Sequence, residues 1–238
     1  MLREIIESWR SDGLMAEVEG DIRKLFRLGE ELYTESYLDL LHQEETGAGL
    51  EDRFARLKSL AAGVRRKIAE HLNVSGCRDV RRELLLFGIA DDMELIGDSS
   101  RNILQLTGLL RIPLGEGNNC DRFRIMAPRI KGFFARAERA LFESDEEDAG
   151  EVIEGHLGVN RECERIQYEL MQGEGLATSE AVACILAARS FRRVSACLEK
   201  VASAAVGASH DPSSLPTVER GGLMVYSSSH LRQMEEEE

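Results

Sequence analysis

The sequence is poor in the residues that break or flatten helices. Only four prolines occur in 238 residues, and aromatic side chains make up 5%. A β-sandwich or barrel needs many turns and many strand-favouring side chains, so this composition argues against one. There is no unbroken apolar run of the roughly 18 residues needed to span a bilayer. The first residues, MLREIIESWRSDG, mix acids into their apolar positions and do not resemble a signal peptide. The five cysteines, Cys77, Cys120, Cys163, Cys184 and Cys197, are odd in number and form no CxxC pair. That pattern predicts a reduced, cytoplasmic protein rather than a disulfide framework. Cations are also in short supply: the formal net charge is −13. Phosphate backbones and anionic membrane surfaces repel such a chain, which argues against nucleic-acid partners and direct membrane insertion.

Charged residues make up 31% of the chain and hydrophobic residues 43%, enough for a substantial core. Apolar positions recur at helical spacing throughout. The periodicity predicts a short helix over residues 1–13, ended by Gly13, and then three helices over about 14–43, 52–72 and 78–110. The stretch RIPLGEGNNCD (111–121), with Pro113 and two glycines, is the clearest boundary. Three more helices follow at about 122–143, 145–172 and 176–206, the middle one opened by the acidic run SDEED, which suits a helix N-terminus. From Gly207 the composition shifts to Ser, Gly, Pro and charge and ends in EEEE; the reading is a disordered tail over 207–238. The expectation is all-α, with an N-terminal helix (1–13), a first three-helix bundle (14–112), a linker (113–121) and a second bundle (122–206).

The two halves can be superposed as sequences. IRKLFRLGEELY (22–33) shares Ile, Phe and Glu with IKGFFARAERAL (130–141). At a shift of 98, LFGIADDMELIGDSSRNI (86–103) aligns with CILAARSFRRVSACLEKV (184–201), so that Met93 meets Phe191 and Ile96 meets Val194. Two amphipathic helices can always be slid into some such register. The same order of three helices in both halves favours an internal repeat.

At about 100° per residue, Met93, Ile96, Ser100 and Ile103 fall on one side of the third long helix, and Asp91, Glu94, Asp98 and Asn102 cluster within roughly 80° on the other. An acidic stripe opposite a core face is ordinarily a solvated face. Here carboxylates stack at i and i+4, where they repel, and no Lys or Arg occupies the stripe to relieve them, though Arg101 sits beside it. Oxygen ligands at that spacing suit a hard or borderline cation, with further ligands from Glu17, Asp21, Glu30, Glu70 or His71 on neighbouring helices. At the shift of 98 the stripe changes sign: Arg189, Arg192, Ala196 and Lys200 replace the acids. Arg and Lys offer no lone pair to a metal, so that face suits an anion or an acidic partner. Di-iron bundle enzymes place Glu and ExxH ligands in the core; here the acids point outward, no ExxH pair occurs, and the five histidines are scattered. No P-loop, GxGxxG or nucleophile–base motif is present. An enzyme is not expected.

MELIGDSSRN (93–102), preceded by ADD, resembles the motif of the PhoU family, LERIGDxxxN, in which E/DxxxD sits on the third helix of each of two bundles. FFARAERALFESDEEDAGEVIEGH (133–156) is similar to the family's Ala-rich helix and acidic turn. The resemblance covers about 14–206. It implies elongated tandem three-helix bundles and a regulator of phosphate transport and phosphate-responsive signalling that contacts a phosphate transporter or a membrane sensor kinase; a homodimer is compatible with it. It also implies an iron or zinc site at Glu94 and Asp98, with Asp91 and Asn102 beside them. The second motif departs, with Arg192 and Ala196 where the acids belong, so one metal site at most is expected. The resemblance leaves two alternatives: a cytoplasmic domain of a sodium/phosphate cotransporter, or a metal-free helical adaptor.

Overall fold

A computed structural model describes residues 2–43, 49–75, 80–108, 110, 114, 120–172 and 178–210, with side chains described over 13–43, 49–73, 80–108, 110, 114, 121–172 and 179–207. Six helices follow one another: α1 (Leu2–His42), α2 (Leu50–Ser75), α3 (Val80–Thr107), α4 (Cys120–Glu143), α5 (Glu146–Met171) and α6 (Thr178–His210). Among the described residues there is no strand, as the all-α expectation requires. Most of the 113–121 linker and all of the tail beyond His210 lie outside the described residues.

Two boundaries differ from the sequence reading. The chain does not break at Gly13; α1 runs through it as one helix of 41 residues, about 60 Å long at 1.5 Å per residue. A single interior glycine costs only about 1 kcal/mol relative to Ala, and a helix of that length carries it. At the other end, α6 continues past Gly207 to His210.

Local chemistry sets the ends. Asp145 caps α5, its side chain accepting from the Asp148 amide at 3.0 Å. Glu146, Glu147 and Asp148 place negative charge in the first turn, where the helix dipole favours it. Arg136 and Arg139 of α4 both bond Asp148, and their charge holds its carboxyl below the usual range although burial works the other way. This locks the two-residue turn between α4 and α5.

Helices α1, α2 and α3 pack on one another, as do α4, α5 and α6. The two sets meet through α1 against α4 and, more extensively, α3 against α6, leaving α2 and α5 on the outside. The core is continuous across this seam. Tyr33 of α1 is fully buried, donates to the Ala127 carbonyl of α4 at 3.1 Å, and lies edge-on to Phe191 of α6 with ring centroids 5.9 Å apart. Gly29 permits the crossing, since a Cβ there would sit 3.3 Å from Phe134 Cε1.

The packing fixes the register between the halves. Along α3, residues 86, 89, 90, 92, 93, 96, 97, 99, 100 and 103 are buried; along α6, residues 184, 187, 188, 190, 191, 194, 195, 197, 198 and 201 are buried. Within 86–103 and 184–201 the two sets coincide at a shift of 98; outside these stretches Glu83, Leu106, Ala183 and Ala202 are buried without a buried counterpart.

Candidate functional site

The glycine of the MELIGD stretch has a packing role. A Cβ on Gly97 would come within 2.9 Å of Leu57 Cδ2, so α2 lies close against this part of α3. That approach brings the cations of α2 to the acidic stripe. Arg65 Nη1 donates to Asp91 Oδ1 at 2.7 Å and Arg65 Nη2 to Glu94 Oε2 at 2.8 Å. Lys58 Nζ sits 2.7 Å from Asp98 Oδ1. Further along the same interface, Arg101 bonds Glu51 and His71 Nδ1 lies 2.9 Å from Glu83 Oε1. The Arg and Lys contacts form a ladder of charge pairs between antiparallel helices.

The acids are therefore not uncompensated, which corrects the expectation drawn from α3 alone. Their counter-charges come from the neighbouring helix, which a helical wheel of α3 does not contain. Asp91 and Asn102 are exposed, and Glu94 and Asp98 are half-buried, on the outward side of α3 as expected. Three of the candidate ligands from other helices are engaged elsewhere: Lys67 holds Glu17 at 2.8 Å and Asp21 at 2.9 Å, and His71 faces Glu83. Among the described residues, no three His, Cys, Asp or Glu side chains gather as metal ligands. As arranged, the stripe does not fit an iron or zinc ion, because each carboxylate has a side-chain cation in the place a metal would take.

Sequence reasoning passed over Lys58 and Arg65 as partners. A signal was present: they are seven residues apart, as Asp91 and Asp98 are, which is the spacing of a two-rung match between antiparallel helices.

Asp92, next to the stripe, points the other way. It is buried, with a side chain 8% exposed, and accepts from Lys200 Nζ of α6 at 2.6 Å. The Cys197 thiol, beside it, adds a small influence toward the charged form. Burial, the largest influence, raises its carboxyl above the usual range, and Lys200 offsets this only in part. Burial also pushes the Cys197 thiol up to about 12. Of the three predicted basic residues on α6, Lys200 is thus committed to the seam between the bundles. Arg189 and Arg193 are exposed and Arg192 is half-buried. These three make no ion pair with a described carboxylate. Arg193 was not among the predicted residues, yet it lies on the same face as Arg189 and Lys200.

In the second bundle, His156 Nδ1 of α5 meets Ser195 Oγ of α6 at 3.0 Å. Ser195 stands at the position of Gly97 in the shared register. Burial lowers the pKa of His156. The fully buried hydroxyl joins two helices, and no described carboxylate completes a nucleophilic triad around it.

Among the described residues, no helix is long and apolar enough to cross a membrane. A family model described as the PhoU domain matches residues 123–205, the second bundle. No curated protein matches the sequence. Among solved structures, PhoU from Pseudomonas aeruginosa is similar, with a TM-score of 0.66 at 19% identity over 82% of this chain and 97% of that one.

Proposed function

With a PhoU domain in its second bundle and the PhoU fold over most of its length, this chain is, we propose, a non-catalytic cytoplasmic regulator of phosphate transport and phosphate-responsive signalling. It acts by docking on a membrane phosphate transporter or sensor. The observation that carries the docking reading is the contrast between the two charged faces beside the α3–α6 seam. The acids of α3 are matched by Lys58 and Arg65, whereas Arg189, Arg192 and Arg193 of α6 have no carboxylate partner among the described residues. Unmatched guanidinium groups on a rigid helix are suited to carboxylates of a partner, which they can bind in a bidentate manner.

A divalent or ferric ion could join this contact only by displacing Arg65 and Lys58 from Glu94 and Asp98. No step of the proposal depends on one.

Phosphate uptake in cells lacking the gene tests the role, and complementation with Arg189→Glu/Arg193→Glu tests the face. Uptake that no longer responds to external phosphate is expected on deletion, with failure of the double variant to restore it. Unaltered uptake after deletion would sink the regulatory role; full rescue by the double variant would sink the docking face.

A further inference from the structure

Two contacts set the register between α5 and α6. His156 Nδ1 meets Ser195 Oγ at 3.0 Å, and the Cys163 thiol donates to the Ala188 carbonyl at 3.2 Å. On each helix the two contacts are separated by two turns, as in an antiparallel pair. Asn160 of α5 and Arg192 of α6 stand between them, each one turn from both contacts and so on the contact face. Arg192 bears electrostatically on both His156 and Cys163, as that place requires. Asn160 and Arg192 are half-buried, and Arg189 beside them is exposed. None of these three side chains has a hydrogen-bond or ion-pair partner among the described residues.

The same place in the first bundle is filled by matched charge. Helices α2 and α5 share buried positions at a shift of 95: Leu57, Val64, Ile68 and His71 correspond to Val152, Val159, Cys163 and Ile166. Arg65 then corresponds to Asn160, just as Asp91 and Glu94 correspond to Arg189 and Arg192 at the shift of 98. In the first bundle the Arg65 guanidinium bridges the two carboxylates. In the second, both α6 positions carry guanidinium groups, and Asn160 brings no charge to bridge them. Like charges one turn apart on a helix repel. Neighbouring acids are engaged elsewhere: Arg122 and Arg165 hold Glu162, and Glu199 accepts from Ser203.

We propose that Arg189, Arg192 and Asn160 form a site for a free phosphate ion, which bridges the two guanidinium groups as Arg65 bridges the two acids. A carboxylate has two oxygens and is filled by one guanidinium fork. A tetrahedral phosphate has four, so it accepts from two forks and from the Asn160 amide together. Bound there, the ion competes with the carboxylates of a partner for Arg189 and Arg192, so the docking face responds to phosphate directly. That consequence rests on the reading of this face as the partner surface; the binding itself does not.

Calorimetric titration of inorganic phosphate into the full chain at physiological ionic strength tests it. Saturable binding of one equivalent is expected. Arg192→Gln and Arg189→Gln should each weaken it about tenfold or more, through loss of charge-assisted hydrogen bonds. Arg66→Gln, which removes an exposed cation of α2, should leave the affinity unchanged. Asn160→Asp puts a carboxylate in the bridging place, so it should melt no lower than the parent chain and bind phosphate about tenfold or more weakly. No saturable binding, equal losses in Arg66→Gln and Arg192→Gln, or undiminished binding in Asn160→Asp overturns the proposal. Phenyl phosphate that binds about tenfold or more tightly than inorganic phosphate overturns the free ion as the ligand. Saturable phosphate binding together with full rescue of phosphate uptake by Arg189→Glu/Arg193→Glu would keep the site and remove the partner surface.

Discussion

Lys200 Nζ donates to Asp92 Oδ1 at 2.6 Å, from α6 of one bundle to α3 of the other. The carboxylate is nearly sealed from solvent, while the lysine keeps 44% of its side-chain exposure. The pair sits where the two bundles meet, so its strength bears on how they hold together.

Removing Lys200 leaves a buried carboxylate without its cation. Lys200→Met is expected to destabilise the chain by about 1–3 kcal/mol at neutral pH. The sign with pH follows from Asp92, whose folded pKa is raised. Such a group contributes stability that is fully present below its unfolded pKa, about 3.9, and is lost as pH rises through the folded value. Lys200→Met raises that folded pKa further, so its deficit grows as pH rises above the unfolded value. Asp92→Asn placed on top should recover most of the loss. Denaturant titrations across that range check it, and a deficit in Lys200→Met that does not change with pH would refute it.

Gly155 and Gly132 give opposite expectations from the same substitution. A Cβ on Gly155 would lie 2.6 Å from Cε1 of Phe133, a buried ring of α4. Gly155→Ala should therefore lower stability by about 1–3 kcal/mol through overpacking. Gly132 has nothing within 4 Å of such a Cβ, and Gly132→Ala should raise stability by about 0.4–1 kcal/mol by narrowing the unfolded ensemble. Thermal melts that shift in the same direction for both would contradict the packing of α4 on α5.

The charge ladder between α2 and α3 predicts how the acids behave toward metal. Lys58→Ala/Arg65→Ala leaves Asp91, Glu94 and Asp98 without counter-charge, and zinc affinity should rise about tenfold or more, since close carboxylates then favour a cation. Adding Asp98→Ala should cancel the gain. Isothermal titration and elemental analysis after dialysis read this directly. If the unaltered chain retains one equivalent of metal, and loses it in Glu94→Ala/Asp98→Ala, the ladder is not the state these acids occupy in solution.

Much of this was legible in the sequence because a helix repeats every 3.6 residues. The apolar spacing of Val18, Ile22, Leu25, Leu32 and Leu40 marked one face of α1, and all five are buried. Placing Asp91, Glu94 and Asp98 outward also followed from periodicity alone. The break at Gly13 did not hold, because interior glycine is a small penalty and a long helix absorbs it.

Periodicity orders residues around one helix axis and is silent about the helix beside it. That limit divides what each source decided. The sequence by itself determined the helices, their buried faces and the change of sign between the stripe on α3 and its counterpart on α6. Only the tertiary structure decided which charges are matched. Arg65 reaches Asp91 and Glu94, Lys58 reaches Asp98, and Lys200 reaches Asp92, whereas Arg189 and Arg193 stay exposed without an acid among the described residues. Ion pairs between helices depend on distances of a few ångströms across a packing interface, and those distances are set by where small residues such as Gly97 let two helices approach.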